Sequence, residues 1–247
     1  QLPLGVVGIA IGVVLLPDLS RSLRSGDGAA VSASQNRSFE FALLLTLPAS
    51  VALFIVPGPI IQVLFERGAF TAADTEATAL ALAAFAWGLT AFVLIKVFSP
   101  AFFAREDTKT PMYYAGAGLV VNVAASLALF PFFGHVGIAI ATTIAGWVNA
   151  LLLLGTLYRR GYFETDAALR RRGPKILLSS IVMGGVLIGV QDQLAPFFAP
   201  GNGLGVQLLA LAALVGSGLL AYALSAQLTG AASIPRLMRS LLRRQAA

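Results

Sequence analysis

The chain has no cysteine, one histidine and few charges, only 11% of its 247 residues being Asp, Glu, Lys or Arg. Each shortage removes a class of function. Without cysteine there is no disulfide framework, no thiolate metal site and no thiol nucleophile. The single histidine, His135, leaves a His-based metal centre short of ligands. No HExxH pair and no phosphate-binding glycine loop occurs. The only adjacent acids, Glu106 and Asp107, read as a solvated turn that ends a helix. A metal cofactor, nucleophilic catalysis and an intramembrane transferase therefore find no support, and no cofactor is expected. Soluble domains carry about 25% charged residues. A chain that is 57% hydrophobic, with mean hydropathy +0.84, reads as an all-α, polytopic membrane protein. Its net charge of +6 does not suggest nucleic acid, because the cations fall in the gaps between apolar runs.

A helix needs about 20 apolar residues to cross the hydrocarbon of a bilayer. Seven runs occur, at 4–17, 41–65, 77–104, 112–133, 136–158, 176–190 and 205–228. The first is too short to span. It follows Gln1 almost at once, so it reads as the end of a span begun upstream, and the chain as a piece of a longer protein. The sixth spans only if it continues towards Phe198. Strict alternation of apolar and polar residues is missing, which argues against barrel strands. Of the 17 basic residues, 15 lie in alternate gaps: Arg21, Arg24 and Arg37; Arg105 and Lys109; Arg159 to Lys175; and the tail from Arg236. The other gaps hold only Arg67. An excess of Lys and Arg marks cytoplasmic loops, so these gaps and the C-terminus are expected on the cytoplasmic side. The runs Arg170–Arg172 and 236–244 also resemble patches that bind anionic headgroups.

A few polar side chains sit at depth. Lys96 is the only basic residue inside the third run. A lysine at the centre of a membrane helix costs roughly 2.5–3.5 kcal/mol. It lies ~12 Å from the basic end, so it either snorkels to the interface or faces a polar cavity. In a cavity its ammonium would attract an anion such as a phosphate. Asn122 and Asn149 lie within the fourth and fifth runs, as interhelical hydrogen-bonding groups or cavity residues. Asp18 with Arg21, and Arg37 with Glu40, have the spacing of ion pairs on one helix face. Glu66, Arg67 and Phe70 fall in an outer turn, where Thr71 can cap the next helix with Asp74 in its first turn. Pro48, Pro57, Pro59 and Pro100 are expected to kink helices. The pairs Gly116–Gly118, Gly184–Gly185 and Gly216–Gly218 are expected to pack helices closely.

Four stretches resemble a known family: LPLGVVGIAIGVVLLPDLSRS (2–22), LFERGAFTAADT (64–75), KVFSPAFFAREDTKTP (96–111) and GHVGIAIATTIAGWVNALLL (134–153). They are similar to the C-terminal half of the MurJ/MviN-type lipid II flippases, within the multidrug/oligosaccharidyl-lipid/polysaccharide exporter superfamily. The resemblance covers about the first 150 residues; the rest fits by hydropathy and topology. It implies helices eight to fourteen of a two-lobed, fourteen-helix exporter. Residues 1–160 would belong to the second lobe, 161–175 to a basic cytoplasmic linker, 176–228 to two additional helices and 229–247 to a basic tail. It also implies a bacterial inner-membrane location and a lipid partner, the undecaprenyl-pyrophosphate-linked peptidoglycan precursor, moved between leaflets by alternating access for cell wall synthesis. Lys96 would then be a candidate cavity residue, and Arg105, Asp107, Lys109 and Pro111 part of a cytoplasmic motif. Asp18, Glu40 and Asp192 are candidate coupling sites. Other readings are a drug/cation antiporter of the same superfamily, disfavoured because the central spans hold no acid, and a non-transporting membrane scaffold.

Overall fold

The computed structural model describes residues 19–199 and 201–231, together with Gly5 and Pro17. These residues form α1 (Gly28–Ile55), α2 (Pro57–Phe65), α3 (Ala72–Phe103), α4 (Lys109–Phe133), α5 (His135–Arg159), α6 (Ala167–Leu194) and α7 (Leu204–Thr229), with a 3-10 turn at Ala195–Phe198. All but α2 are long and apolar enough to cross a membrane. Helices are the expected solution, since each satisfies its own backbone where no water can. The run at 4–17 lies outside the described residues apart from Gly5 and Pro17.

Two spans differ from the apolar pattern, both for reasons of capping. The run at 41–65 is two helices. The first starts early, at Gly28, because the Asp27 carboxylate accepts the Ala30 N–H at 2.9 Å. It stops at Ile55, and Pro57 begins α2, where a residue without an N–H costs nothing. Pro59 falls within α2, whereas Pro48 and Pro100 lie inside long helices. The stretch 161–175 is only in part a linker. Asp166 caps the Leu169 N–H at 2.7 Å, so α6 starts at Ala167 and carries Arg170 to Lys175 on its first turns. At its far end α6 continues through the 3-10 turn to Phe198, which completes the short sixth run.

The long helices pack in the order α4, α5, α3, α1, α6, α7, each against the next. The starts of α1, α4 and α6 meet the ends of α3, α5 and α7 at one end of the bundle, where the loops carry Arg105 and Arg160 (the basic end). There Phe98, Phe102, Leu153, Leu157, Phe163 and Leu169 form one buried cluster. Phe39, Phe98 and Phe163 stack edge-on or tilted within it, at centroid separations of 5.4–6.3 Å. A second cluster at the opposite end joins Val56, Val63, Met183, Leu187, Phe198 and Leu214. Much apolar surface faces outward, including Leu127, Leu209 and Leu228, as hydrocarbon-facing helices require.

Close approach between helices depends on single glycines. One member of two of the expected pairs packs tightly: a Cβ on Gly184 would meet Ile55 at 2.8 Å, and one on Gly218 would meet Leu187 at 2.8 Å. A Cβ on Gly118 would make ordinary contact, and Gly116, Gly185 and Gly216 face open space. The tightest backbone contact is at Gly137, whose added Cβ would stand 2.8 Å from the Leu129 carbonyl oxygen. Gly134 makes the α4–α5 turn with φ +54 and ψ −133, a conformation that L side chains avoid. Gly137→Ala should therefore destabilise the intact protein in detergent by about 1–3 kcal/mol, while Gly116→Ala should leave its melting temperature unchanged or slightly higher.

Candidate functional site

Lys96 lies on the basic-end half of α3, flanked by Val93 and Val97, both nearly fully buried. Its own side chain is exposed, and among the described residues no hydrogen bond or ion pair reaches it. Three and seven residues on, along the same stripe of helix, come Ser99 and Phe103. These two line a cavity of about 310 Å³ with Ile95, Met112, Asn149 and Leu153. The cavity exists because α4 packs along α5 and barely touches α3. Pro111, from the expected motif, also lines it.

The two asparagines behave differently. Asn149 lines the cavity, and its carboxamide oxygen is buried with no donor. Asn122 is engaged between helices: its amide donates to the Thr142 hydroxyl at 3.0 Å, and Ser126 donates to its carbonyl at 3.4 Å. Asn149 therefore lines the cleft, Lys96 lies one turn before the cleft-lining Ser99, and Asn122 serves the α4–α5 contact.

Three ties hold the basic end. The first joins the α3–α4 loop to the end of α5. Asp107 accepts from the Thr110 hydroxyl at 2.6 Å, the Thr110 N–H at 3.0 Å and Arg160 at 2.6 Å. The Thr110 hydroxyl and N–H, followed by Arg160, lower its pKa to about 2. The same carboxylate raises the pKa of Arg160. Arg105 lies 4.2 Å over the Tyr162 ring, and burial lowers its pKa. Glu106 turns the chain with φ 61. Lys109 is exposed at the first position of α4.

The second tie is Glu40 with Arg172, at 2.8 and 3.2 Å, joining α1 to α6. The i, i+3 spacing points to Arg37 as the partner of Glu40, whereas the guanidinium that reaches it is that of Arg172, 132 residues away. Arg37 instead lines an open recess with Arg21, Ser22 and Ser34. Arg21 donates to the Pro17 carbonyl at 3.4 Å. Asp18, its expected partner, lies outside the described residues. The third tie is Asn36, 2% exposed, which donates to the Glu164 carbonyl at 2.8 Å and accepts the Asp166 N–H at 3.1 Å. It fixes the α5–α6 loop on α1. Beside it Gln35 is buried with neither amide atom paired.

At the opposite end the 66–74 turn is self-contained. Thr71 and Asp74 form a reciprocal capping box, with the Thr71 N–H to the Asp74 carboxylate at 2.8 Å. Glu66 accepts from Thr75 at 2.7 Å, Arg67 donates to the Val63 carbonyl at 2.5 Å, and Phe70 packs near Phe65. Among the described residues no group of three His, Asp or Glu side chains could hold a metal.

Asn36, Thr110, Arg160, Tyr162 and Arg172 escape a reading by runs. They lie in gaps whose polarity is explained equally well by solvent. Their partners are distant in sequence, and only the capping pattern Asp107-x-x-Thr110 is local. Asn36→Ala should cost about 1–3 kcal/mol of stability by leaving the loop carbonyl and N–H unpaired. The Asp107 tie is fully present above about pH 4 and is lost as pH falls towards 2, because its carboxylate is stabilised only when ionised. Asp107→Asn should lower the melting temperature at neutral pH and abolish its part of the acid dependence, as read by a pH series of melts.

The family model described as lipid II flippase MurJ matches residues 1–208. The chain is 47% identical over 247 residues to a probable lipid II flippase MurJ of Rhizobium tropici, covering all of this chain and 46% of that protein. It is 46% identical over 243 residues to the protein of the same name from Rhizobium meliloti (strain 1021), covering 98% of this chain and 45% of that one. A solved structure of lipid II flippase MurJ in an inward closed conformation aligns with a TM-score of 0.73 and 26% identity, over 92% of this chain and 44% of that one. The chain thus spans a little under half the length of the curated relatives it matches.

Proposed function

The chain belongs to the lipid II flippase MurJ family, and we propose that it forms the C-terminal half of a protein that carries lipid-linked peptidoglycan precursor from the inner to the outer leaflet. The basic end is then cytoplasmic, which the Lys and Arg distribution supports, and the membrane is the bacterial inner membrane. The family is one of transporters rather than of catalysts, and the residues here are read as binding groups.

The observation that carries the reading is the exposed, unpaired ammonium of Lys96 on a helix whose neighbouring positions are buried. A headgroup bearing a pyrophosphate cannot cross hydrocarbon unaided. It needs a cavity that offers positive charge and opens to one side at a time. Lys96 supplies the charge, held at depth by α3. Asn149, with an unused acceptor in the adjoining cleft, suits an amide N–H or hydroxyl of the same headgroup. The partly separated α3 and α4 give a surface against which the missing half can rock. The ties at Asp107, Glu40 and Asn36 keep this half rigid as it does so. Proteins of cell wall synthesis would act on the delivered precursor at the outer face.

The test is genetic and uses the intact protein. Cells depleted of their own lipid II flippase should be rescued by the intact protein and by Lys96→Arg. Lys96→Ala, matched for membrane abundance, should fail, since losing a charge-assisted contact weakens capture by about tenfold to a hundredfold. Full rescue by Lys96→Ala would reduce Lys96 to a snorkelling residue, and no rescue by the well-expressed intact protein would reject the flippase reading.

A further inference from the structure

A second cationic recess lies away from Lys96, where α6 begins and α7 ends. Ala167, Ala168, Arg171, Arg172, Lys175 and Gly230 enclose about 380 Å³ there. Arg172 is held in place by Glu40, which takes one of its two terminal nitrogens. The rest of its guanidinium fork remains for another acceptor. A Cβ on Gly230 would stand 3.7 Å from the Lys175 ammonium, so a larger residue would crowd the recess. Among the described residues no hydrogen bond or ion pair engages Arg171 or Lys175 through its side chain. Three cations and one carboxylate thus leave the recess strongly positive.

What lies beside the recess identifies the ligand class. Arg171 and Lys175 are one helical turn apart, and Lys175 is the last charge on α6 before Asp192. The same stripe continues into Leu178 and Val182, which are 52% and 45% exposed. On α7, Leu224 and Leu228 are also exposed, at 60% and 87%. A cationic recess at the boundary of an apolar, hydrocarbon-facing stripe matches an amphiphile with an anionic head and acyl chains. A free anion would use the cations and leave the apolar stripe unused.

We propose that Arg171, Arg172 and Lys175 form a binding site for the phosphate of an anionic bilayer phospholipid, whose chains lie along Leu178 and Val182. This site is separate from the substrate cleft and does not depend on what the protein transports. Because Arg172 also holds Glu40, an occupied site braces α6 and α7 against α1.

The intact protein, purified in detergent containing equal mole fractions of phosphatidylglycerol and phosphatidylcholine, can be examined by native mass spectrometry. Phosphatidylglycerol should be retained preferentially. Arg171→Gln with Lys175→Gln should lower that retention by about thirtyfold, each surface cation contributing of order one kcal/mol to anionic-lipid binding. Retention of phosphatidylcholine should not change. The charge-conserving pair Arg171→Lys with Lys175→Arg should stay within about twofold of wild type, which separates loss of charge from loss of fold. Inorganic phosphate at ~10 mM should leave the lipid bound, since it cannot replace the chains. Undiminished phosphatidylglycerol binding by the Gln variant would overturn the site, and displacement by phosphate alone would overturn the lipid as its ligand.

Discussion

A backbone amide or carbonyl left unpaired in hydrocarbon costs several kcal/mol, and the architecture follows from that cost. It makes each apolar run a helix and forces every break to an end of the bundle. The one break in an apolar run, at Val56, is handled by proline chemistry: Pro57 has no N–H to satisfy. The same cost explains the polar side chains that do occur at depth. Asn122, Thr143 and Trp147 all reach a partner on a neighbouring helix. Lys96 and Asn149 do not; Asn149 lines the cleft, and Lys96 lies one turn before Ser99 of the same wall.

Loops at the two ends of the bundle are fastened in different ways. At the basic end, loops are fastened by side chains from distant helices: Asp107 to Arg160, Glu40 to Arg172, and Asn36 to the backbone at Glu164 and Asp166. At the opposite end the 66–74 turn is fastened by its own neighbours, through the Thr71–Asp74 box and the Glu66–Thr75 bond. The opposite end has long-range ties as well, from Gln62 to the Phe198 carbonyl at 2.8 Å and from His135 to the Ala77 carbonyl at 3.0 Å.

Most of the fold was legible because hydrophobic thickness and charge bias act on whole segments. Six runs correspond to described long helices, and their ends alternate as the Arg and Lys distribution requires. Boundaries were legible where capping is local, as at Thr71. They were missed where polar residues extend a helix beyond the hydrocarbon, as at Gly28 and Ala167. The site was legible in part. Lys96 stands out as a charge in an apolar run, but its direction depends on the packing of α3 with α1 and α5. The Arg37–Glu40 spacing was misleading because a short-range pair competes with any cation that folding brings near, and Arg172 is better placed.

The proposed function needs Lys96 to face a water-filled path that the substrate enters. The chain has no cysteine, so Lys96→Cys in a cysteine-free intact protein gives a single reporter. Labelling by a membrane-impermeant, charged thiol reagent, measured with and without added lipid-linked precursor, tests the claim directly. The account predicts labelling from aqueous solution and protection by the precursor. Labelling only by a lipid-soluble reagent, unaffected by the precursor, would contradict it.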